Sequence, residues 1–99
     1  MARRRVELSP DAARQLRALR AADRSLLKDQ IRGQLGDSDA TQETRNRFRL
    51  RRPSPFADHE LRVRDWRGFY RVVDNTVRVV LIGRKQGTVV IIDRKRFIL

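Results

Sequence analysis

Residues Glu60-Leu61-Arg62-Val63-Arg64-Asp65-Trp66-Arg67-Gly68-Phe69-Tyr70-Arg71-Val72-Val73 alternate apolar and polar side chains on both sides of Asp65-Trp66. A period of two marks a strand with one buried face, so the stretch predicts a β-hairpin. A two-residue turn at Asp65 and Trp66 pairs Arg64 with Arg67, Val63 with Gly68, Arg62 with Phe69, Leu61 with Tyr70 and Glu60 with Arg71. Paired residues share a face. One face then carries Leu61, Val63, Tyr70 and Val72 as core; the other carries Arg62, Arg64, Arg67 and Arg71 around Phe69, with Glu60 at its edge.

Like charges directly opposite each other destabilise a sheet. A phosphate chain would relieve the repulsion among these guanidinium groups while the Phe69 ring stacks on a base. The plainer alternative is a solvated face with one arginine neutralised by Glu60. The Asp-Trp turn lacks the glycine that a type I′ turn prefers, which leaves room for a longer loop or a shifted register.

The charge distribution points the same way. Of 24 Lys and Arg against 12 Asp and Glu, Met1 to Thr44 holds nine basic and seven acidic residues, a balance of +2. Arg45 to Leu99 holds fifteen and five, a balance of +10, so the second half is the part suited to a polyanion. Arg dominates over Lys, which suits bidentate phosphate recognition. The 99 residues allow one domain with a modest core. There is no cysteine, which excludes disulfides and thiolate metal sites. With a single histidine as well, no metal or other cofactor is expected. No apolar run approaches the ~18 residues of a membrane span, and the charged start at Met1 to Arg5 is not followed by the apolar core of a signal peptide. A cytoplasmic protein is the expectation.

Taken in order, Arg4 to Leu8 alternates as a short first strand. Ser9-Pro10-Asp11 reads as a helix start, with Ser as N-cap, Pro at the first helical position and a carboxylate at the positive end of the dipole. Ala12, Leu16 and Leu19 follow at helical spacing. Asp23 is positioned to cap a second helix, in which Leu27, Ile31 and Leu35 recur every four residues beside Leu26. The short connection predicts a helical hairpin. The charge on it is nearly balanced, with only Lys28 and Arg32 to offer a groove, so packing on a sheet is a better use of the stripe than DNA reading by a helix-turn-helix.

Gly36 is expected to end that helix, followed by a mobile polar loop to Thr44. Arg45 to Arg51 alternates again, with Phe48 and Leu50 on one side and Arg45, Arg47, Arg49 and Arg51 on the other, as a strand extending the basic face. Pro53 and Pro55 interrupt it, and Ser54 to Asp58 leads into the hairpin. Val77 to Ile82, apolar on both parities, reads as a central strand that can carry Arg78 on the basic face. Gly83 to Gly87 reads as a glycine-bounded basic turn, without the Walker pattern of a phosphate loop. Thr88 to Ile92 is the last strand, and a basic tail follows with Phe97 and Leu99 able to dock. The predicted class is α+β, in the order β-α-α-β-β-β-β, with an antiparallel sheet and helices on one face.

That order, the opening Val6-Glu7-Leu8-Ser9-Pro10, Glu43 to Arg47 with the two prolines that follow, Glu60-Leu61-Arg62-Val63, Asp65-Trp66-Arg67, Phe69-Tyr70 and Ile82-Gly83-Arg84-Lys85 together resemble the RelE/ParE superfamily of bacterial toxins. The resemblance spans nearly the whole chain. It implies a small sheet with two N-terminal helices and an antitoxin that wraps the toxin. RelE-like members cut mRNA in the ribosomal A site, whereas ParE-like members inhibit DNA gyrase. The RelE pattern places an arginine at the start of the strand after the hairpin, here Arg67, and a basic residue after the next strand's glycine, here Arg84 or Lys85. Its catalytic tyrosine has no counterpart in Val89 to Ile92, and the parity above puts Tyr70 on the core face.

RNA cleavage by the 2′-hydroxyl needs a proton acceptor, charge stabilisation at phosphorus and a donor for the leaving oxygen. Arg67 with Arg84 or Lys85 supplies charge stabilisation, but arginine stays protonated and is a poor base. His59, whose unperturbed pKa lies near neutrality, and Lys85 with a lowered pKa are the candidates for proton transfer. Arg45, Arg47, Arg49, Arg62, Arg64, Phe69, Arg71 and Arg78 are the candidates for binding nucleic acid. Expected partners are a cognate antitoxin with an acidic, partly disordered segment, and mRNA with the ribosome. DNA gyrase, or plain nucleic-acid binding without toxicity, is the alternative.

Overall fold

The computed structural model describes residues 3–51 and 54–97. The strand-breaking Pro53, the docking Leu99 and the first two residues of the charged start lie outside them. The order is β1 (Arg5–Leu8), α1 (Pro10–Arg17), α2 (Ala21–Ile31), a π-helical turn (Arg32–Asp37), β2 (Arg47–Arg49), β3 (His59–Val63), β4 (Trp66–Val73), β5 (Thr76–Gln86), β6 (Val89–Ile92) and β7 (Lys95–Phe97). The expected α+β class holds, with more strands than the predicted order contains. The docking tail is itself a strand, and its Phe97 packs on the sheet.

Ser9 caps α1 as expected, its Oγ accepting the Ala12 N–H at 3.0 Å, with Pro10 opening the helix. The second cap differs. Arg20, not Asp23, is the N-cap residue of α2, and Asp23 sits in the first turn, where its carboxylate lies 3.3 Å from Arg20. The N-cap position would place Asp23 outside the helix, whereas the first turn puts its charge beside the exposed N–H groups. Gly36 does not end the helix either. The chain continues through it to Asp37, and a Cβ there would lie 3.2 Å from Val6 Cγ2, so this glycine permits close approach of β1.

The sheet runs β2-β3-β4-β5-β6-β7, with β1 added beside β5. All pairs are antiparallel except β1 with β5, which is parallel, so the sheet is mixed rather than purely antiparallel. The eleven-residue β5 is shared along one edge: Thr76 to Val79 pair with β1 and Arg84 to Gln86 pair with β6. A bulge opposite Phe69/Tyr70 makes Val80 the extra residue of β5. That changes parity in mid-strand, turning Val77, Val79 and Ile82 to the helices but Leu81 to the opposite face. The apolar run on both parities has this origin.

Ala12, Leu16, Leu27, Ile31 and Leu35 from the helical region close on Leu61, Val63, Tyr70, Val77, Val79 and Ile82 as the main core. Burying each such aliphatic side chain contributes roughly 1.5–3 kcal/mol. The opposite face carries a second cluster, in which Phe69, Val90 and Ile92 are covered by Ala57, Phe56, Leu50 and Phe97. The loop expected to be mobile is tied down. Asp39 accepts from Arg4 at 2.7 Å and from Thr41 Oγ1 at 2.6 Å, and the buried Ala40 carbonyl accepts the Tyr70 hydroxyl at 2.7 Å. Burial pushes the Tyr70 phenol up to about 12.

Candidate nucleic-acid interface

The hairpin turn is one residue earlier than the sequence predicts. Arg64 and Asp65 form the loop, and Val63 pairs with Trp66, Arg62 with Arg67, Leu61 with Gly68, Glu60 with Phe69 and His59 with Tyr70. Moving the turn centre by one residue shifts each pairing by two, so every side chain keeps its predicted face. What changes is the neighbour. Arg64, at φ 55°, is a turn residue rather than a strand residue, and Arg62 is the arginine directly opposite Arg67.

Glu60 lies beside that pair. Its Oε2 accepts from Arg62 Nε at 2.6 Å and sits 3.9 Å from Arg67 Nε. The expected partnership of Glu60 with Arg71 is therefore wrong: Arg71 instead meets Asp58 at 3.4 Å and the Pro55 carbonyl at 3.2 Å. Arg67 is buried, with its side chain 8% exposed, and its Nη1 donates to the Arg64 carbonyl at 2.7 Å and the Trp66 carbonyl at 2.9 Å. These bonds hold the guanidinium in place. Burial lowers its pKa, and the Glu60 carboxylate opposes that shift.

The expected turn at Gly83 to Gly87 is strand through Gln86; the reversal is at Gly87-Thr88, with Gly87 at φ 61°. Gly83 lies within that strand, and a Cβ there would lie 2.8 Å from the Ile91 carbonyl and 2.7 Å from Ile92 Cγ1, so this approach of β5 to β6 calls for a glycine. This register places Lys85 opposite Val90, on the face of Arg67, and Arg84 opposite Ile91, on the other face, where its guanidinium lies 5.4 Å from the Trp66 ring centre. The choice between Arg84 and Lys85 is thus resolved for position: Lys85 joins Arg67.

Glu60, Arg62, Arg67, Lys85, Gly87, Thr88, Val89 and Val90 line an open cleft of about 210 Å³. Three cations and one carboxylate surround it, with Val90 as an apolar wall. Arg62 also lies 4.3 Å from the centre of the Phe48 ring, so its guanidinium packs on a π face while its Nε donates to Glu60. An open basic cleft beside an ordered guanidinium suits a phosphodiester backbone. Sequence reasoning missed Thr88 to Val90 as lining, since only the tight reversal at Gly87-Thr88 brings Val90 opposite Lys85.

Several predicted site residues lie elsewhere. Phe69 is fully buried, edge-on to Phe56 with ring centres 6.3 Å apart, so it is not available to stack on a base. The parity of β2 is the reverse of that expected: Phe48 pairs with Glu60 on the cleft face, while Arg47 and Arg49 pair with Leu61 and His59 on the helix side. Arg47 is buried and donates to the Gln34 carbonyl at 2.5 Å. Arg49 is exposed on that same side, and Arg45 is exposed in the loop before β2. Arg78 is exposed between Glu7 and Arg71 in the register, three to seven residues along β5 from Leu81 and Lys85.

His59 does not reach the basic face. It is buried on the helix side and stacks on Tyr70, with ring centres 5.0 Å apart and 16° between planes. Among the described residues its Nδ1 has no hydrogen-bond partner. Burial lowers its pKa, and Arg49 lowers it further. Among the described residues no group of His, Asp or Glu is arranged to hold a metal ion, and no helix is long and apolar enough to cross a membrane. No protein-family model matches the chain, and no curated protein matches it in sequence.

Proposed function

We propose that this chain is the toxin of a toxin–antitoxin pair and acts in the cytoplasm as a ribosome-dependent mRNA endoribonuclease. The observation that carries the reading is the convergence of Arg62, Arg67 and Lys85 on one open cleft. The small sheet with two N-terminal helices agrees with what the RelE/ParE resemblance implies, and Arg67 and Lys85 stand where that resemblance asks for basic residues. The RNA 2′-hydroxyl gives its proton to solvent water and attacks the neighbouring phosphorus as the bond to the 5′ oxygen breaks, leaving a 2′,3′-cyclic phosphate and a 5′-hydroxyl. Arg67, held rigid in a partly desolvated setting, stabilises the charge that develops on the phosphoryl oxygens. The Lys85 ammonium donates a proton toward the leaving oxygen.

A second reading has one observation in its favour. His59 and Tyr70 both lie on the helix side, so the cleft holds neither imidazole nor phenol. That favours a toxin that binds without cutting, with DNA gyrase as its target, or a nucleic-acid-binding module. Tightly repressed expression in bacteria, comparing wild type with Arg67→Ala while mapping mRNA 5′ ends, separates the readings. Growth arrest with new cuts inside codons, lost in the variant, is expected. Arrest with intact mRNA moves the assignment to a non-nucleolytic target. The antitoxin partner is an acidic segment that covers the cleft, and its affinity falls with added salt.

A further inference from the structure

We infer that Glu60 is a built-in counter-anion that competes with an RNA phosphate for Arg62 and Arg67 and so sets the affinity of the cleft. The inference rests on the RNA-binding reading above. Glu60 is the one carboxylate among the described residues lining the cleft, and it is buried between the two guanidinium groups that oppose each other across β3 and β4. Arg62 and Arg67 would repel at that register without it.

The two arginines are held differently. Arg67 spends its Nη1 on the turn carbonyls of Arg64 and Trp66 and is almost fully buried. Arg62 has a side chain 45% exposed, and among the described residues its guanidinium is bonded to Glu60 alone, through Nε. Arg62, which packs on the Phe48 ring, is therefore the arm that can transfer from the internal carboxylate to an incoming phosphate. A carboxylate and a phosphate oxygen accept from guanidinium in the same geometry, so a phosphate that takes the Arg62 Nε–H replaces the Glu60 contact, and one held at the Nη groups still meets the repulsion of that carboxylate. With Glu60 ionised, the three cations of the cleft carry one charge fewer to offer RNA.

The test measures binding of a fluorescent single-stranded RNA oligonucleotide to wild type, Glu60→Gln and Arg67→Ala across a range of salt. Glu60→Gln keeps an acceptor for Arg62 and removes the charge. It is expected to bind at least about threefold tighter, the scale of a partly exposed ion pair, with the salt slope steeper by about 0.7 as a further phosphate is neutralised. A merely structural Glu60 would leave that slope unchanged or lose binding. Glu60→Ala, expected to move affinity and slope in the same direction, covers the case in which Glu60→Gln fails to fold. Loss of binding in Arg67→Ala with unchanged or weaker binding in the folded Glu60 variants overturns the inference and leaves the RNA-binding reading standing. Absence of binding in wild type and Glu60 variants alike overturns both.

Discussion

Gln15 Oε1 accepts the backbone N–H of Ile82 at 2.6 Å, at the one stretch of the β5 edge where neither β1 nor β6 is paired. A side chain of α1 thus stands in for a missing strand. Its amide Nε2 donates to Asp93 Oδ2 at 2.9 Å, and Arg14 grips the same carboxylate through two bonds, at 2.9 and 3.0 Å. Arg14 and then Gln15 hold the Asp93 carboxyl below the usual range. The network ties α1 to the β6–β7 turn and thereby to the strand that walls the cleft.

Replacing Gln15 with Leu fills similar space but leaves the buried Ile82 N–H without a partner. The expected cost is about 1–3 kcal/mol. Urea unfolding should show a lower midpoint with an unchanged slope.

Gly83→Ala would press a Cβ against the Ile91 carbonyl, a backbone atom of the paired strand that has no rotamer to escape into. A loss of about 1–3 kcal/mol is expected, with a lower melting temperature and weaker RNA binding as Val90 is displaced. Gly33→Ala is the control. A Cβ there meets nothing within 4 Å, and the helical setting favours alanine by roughly 0.5–1 kcal/mol.

The depressed pKa of His59 makes stability depend on pH. The unfolded chain binds the proton more readily than the folded one, so the His59 contribution is fully present above the unfolded value of about 6.5 and is lost as pH falls from there through the lower folded value. Chemical denaturation at pH 7.5 and at pH 5.5 should show the fall. His59→Phe, which retains the stack on Tyr70, should flatten that part of the profile.

Lys85 and Arg84 are sequence neighbours on opposite faces of β5. Lys85→Ala should weaken single-stranded RNA binding and reduce the salt slope by about 0.7, one phosphate contact. Arg84→Ala should change both by less than half as much. Equal losses in a filter-binding titration would place RNA on both faces, contrary to the cleft reading.

Much of this arrangement is legible in the residue order. The Ser9 cap, the Leu27-Ile31-Leu35 stripe and the assignment of Leu61, Val63 and Tyr70 to the core all follow from short-range geometry, in which each residue's neighbours three or four along a helix, or two along a strand, are known in advance. The class of fold and the basic character of the second half follow in the same way. Parity alone, however, says that a strand has two faces without saying which one meets the helices. Here both faces bury apolar residues, so Phe48 and Leu50 had two clusters to join, and the burial of Arg47 against the Gln34 carbonyl goes with the orientation that sequence pattern disfavours.

The cleft itself depends on contacts that are distant in sequence. Lys85 meets Arg67 because β5 continues past Gly83, which requires the close approach of Ile91 and Ile92. Glu60 reaches Arg62 and Arg67 rather than Arg71 because the turn closes at Arg64-Asp65, where the Arg67 side chain bonds the turn carbonyl. Local alternation and helical spacing, encoded residue by residue, determine the elements and their charge. The register between strands, the bulge at Val80 and the burial of His59 and Phe69 are decided only when the whole sheet packs, because each is a compromise among partners that the chain brings together from far apart.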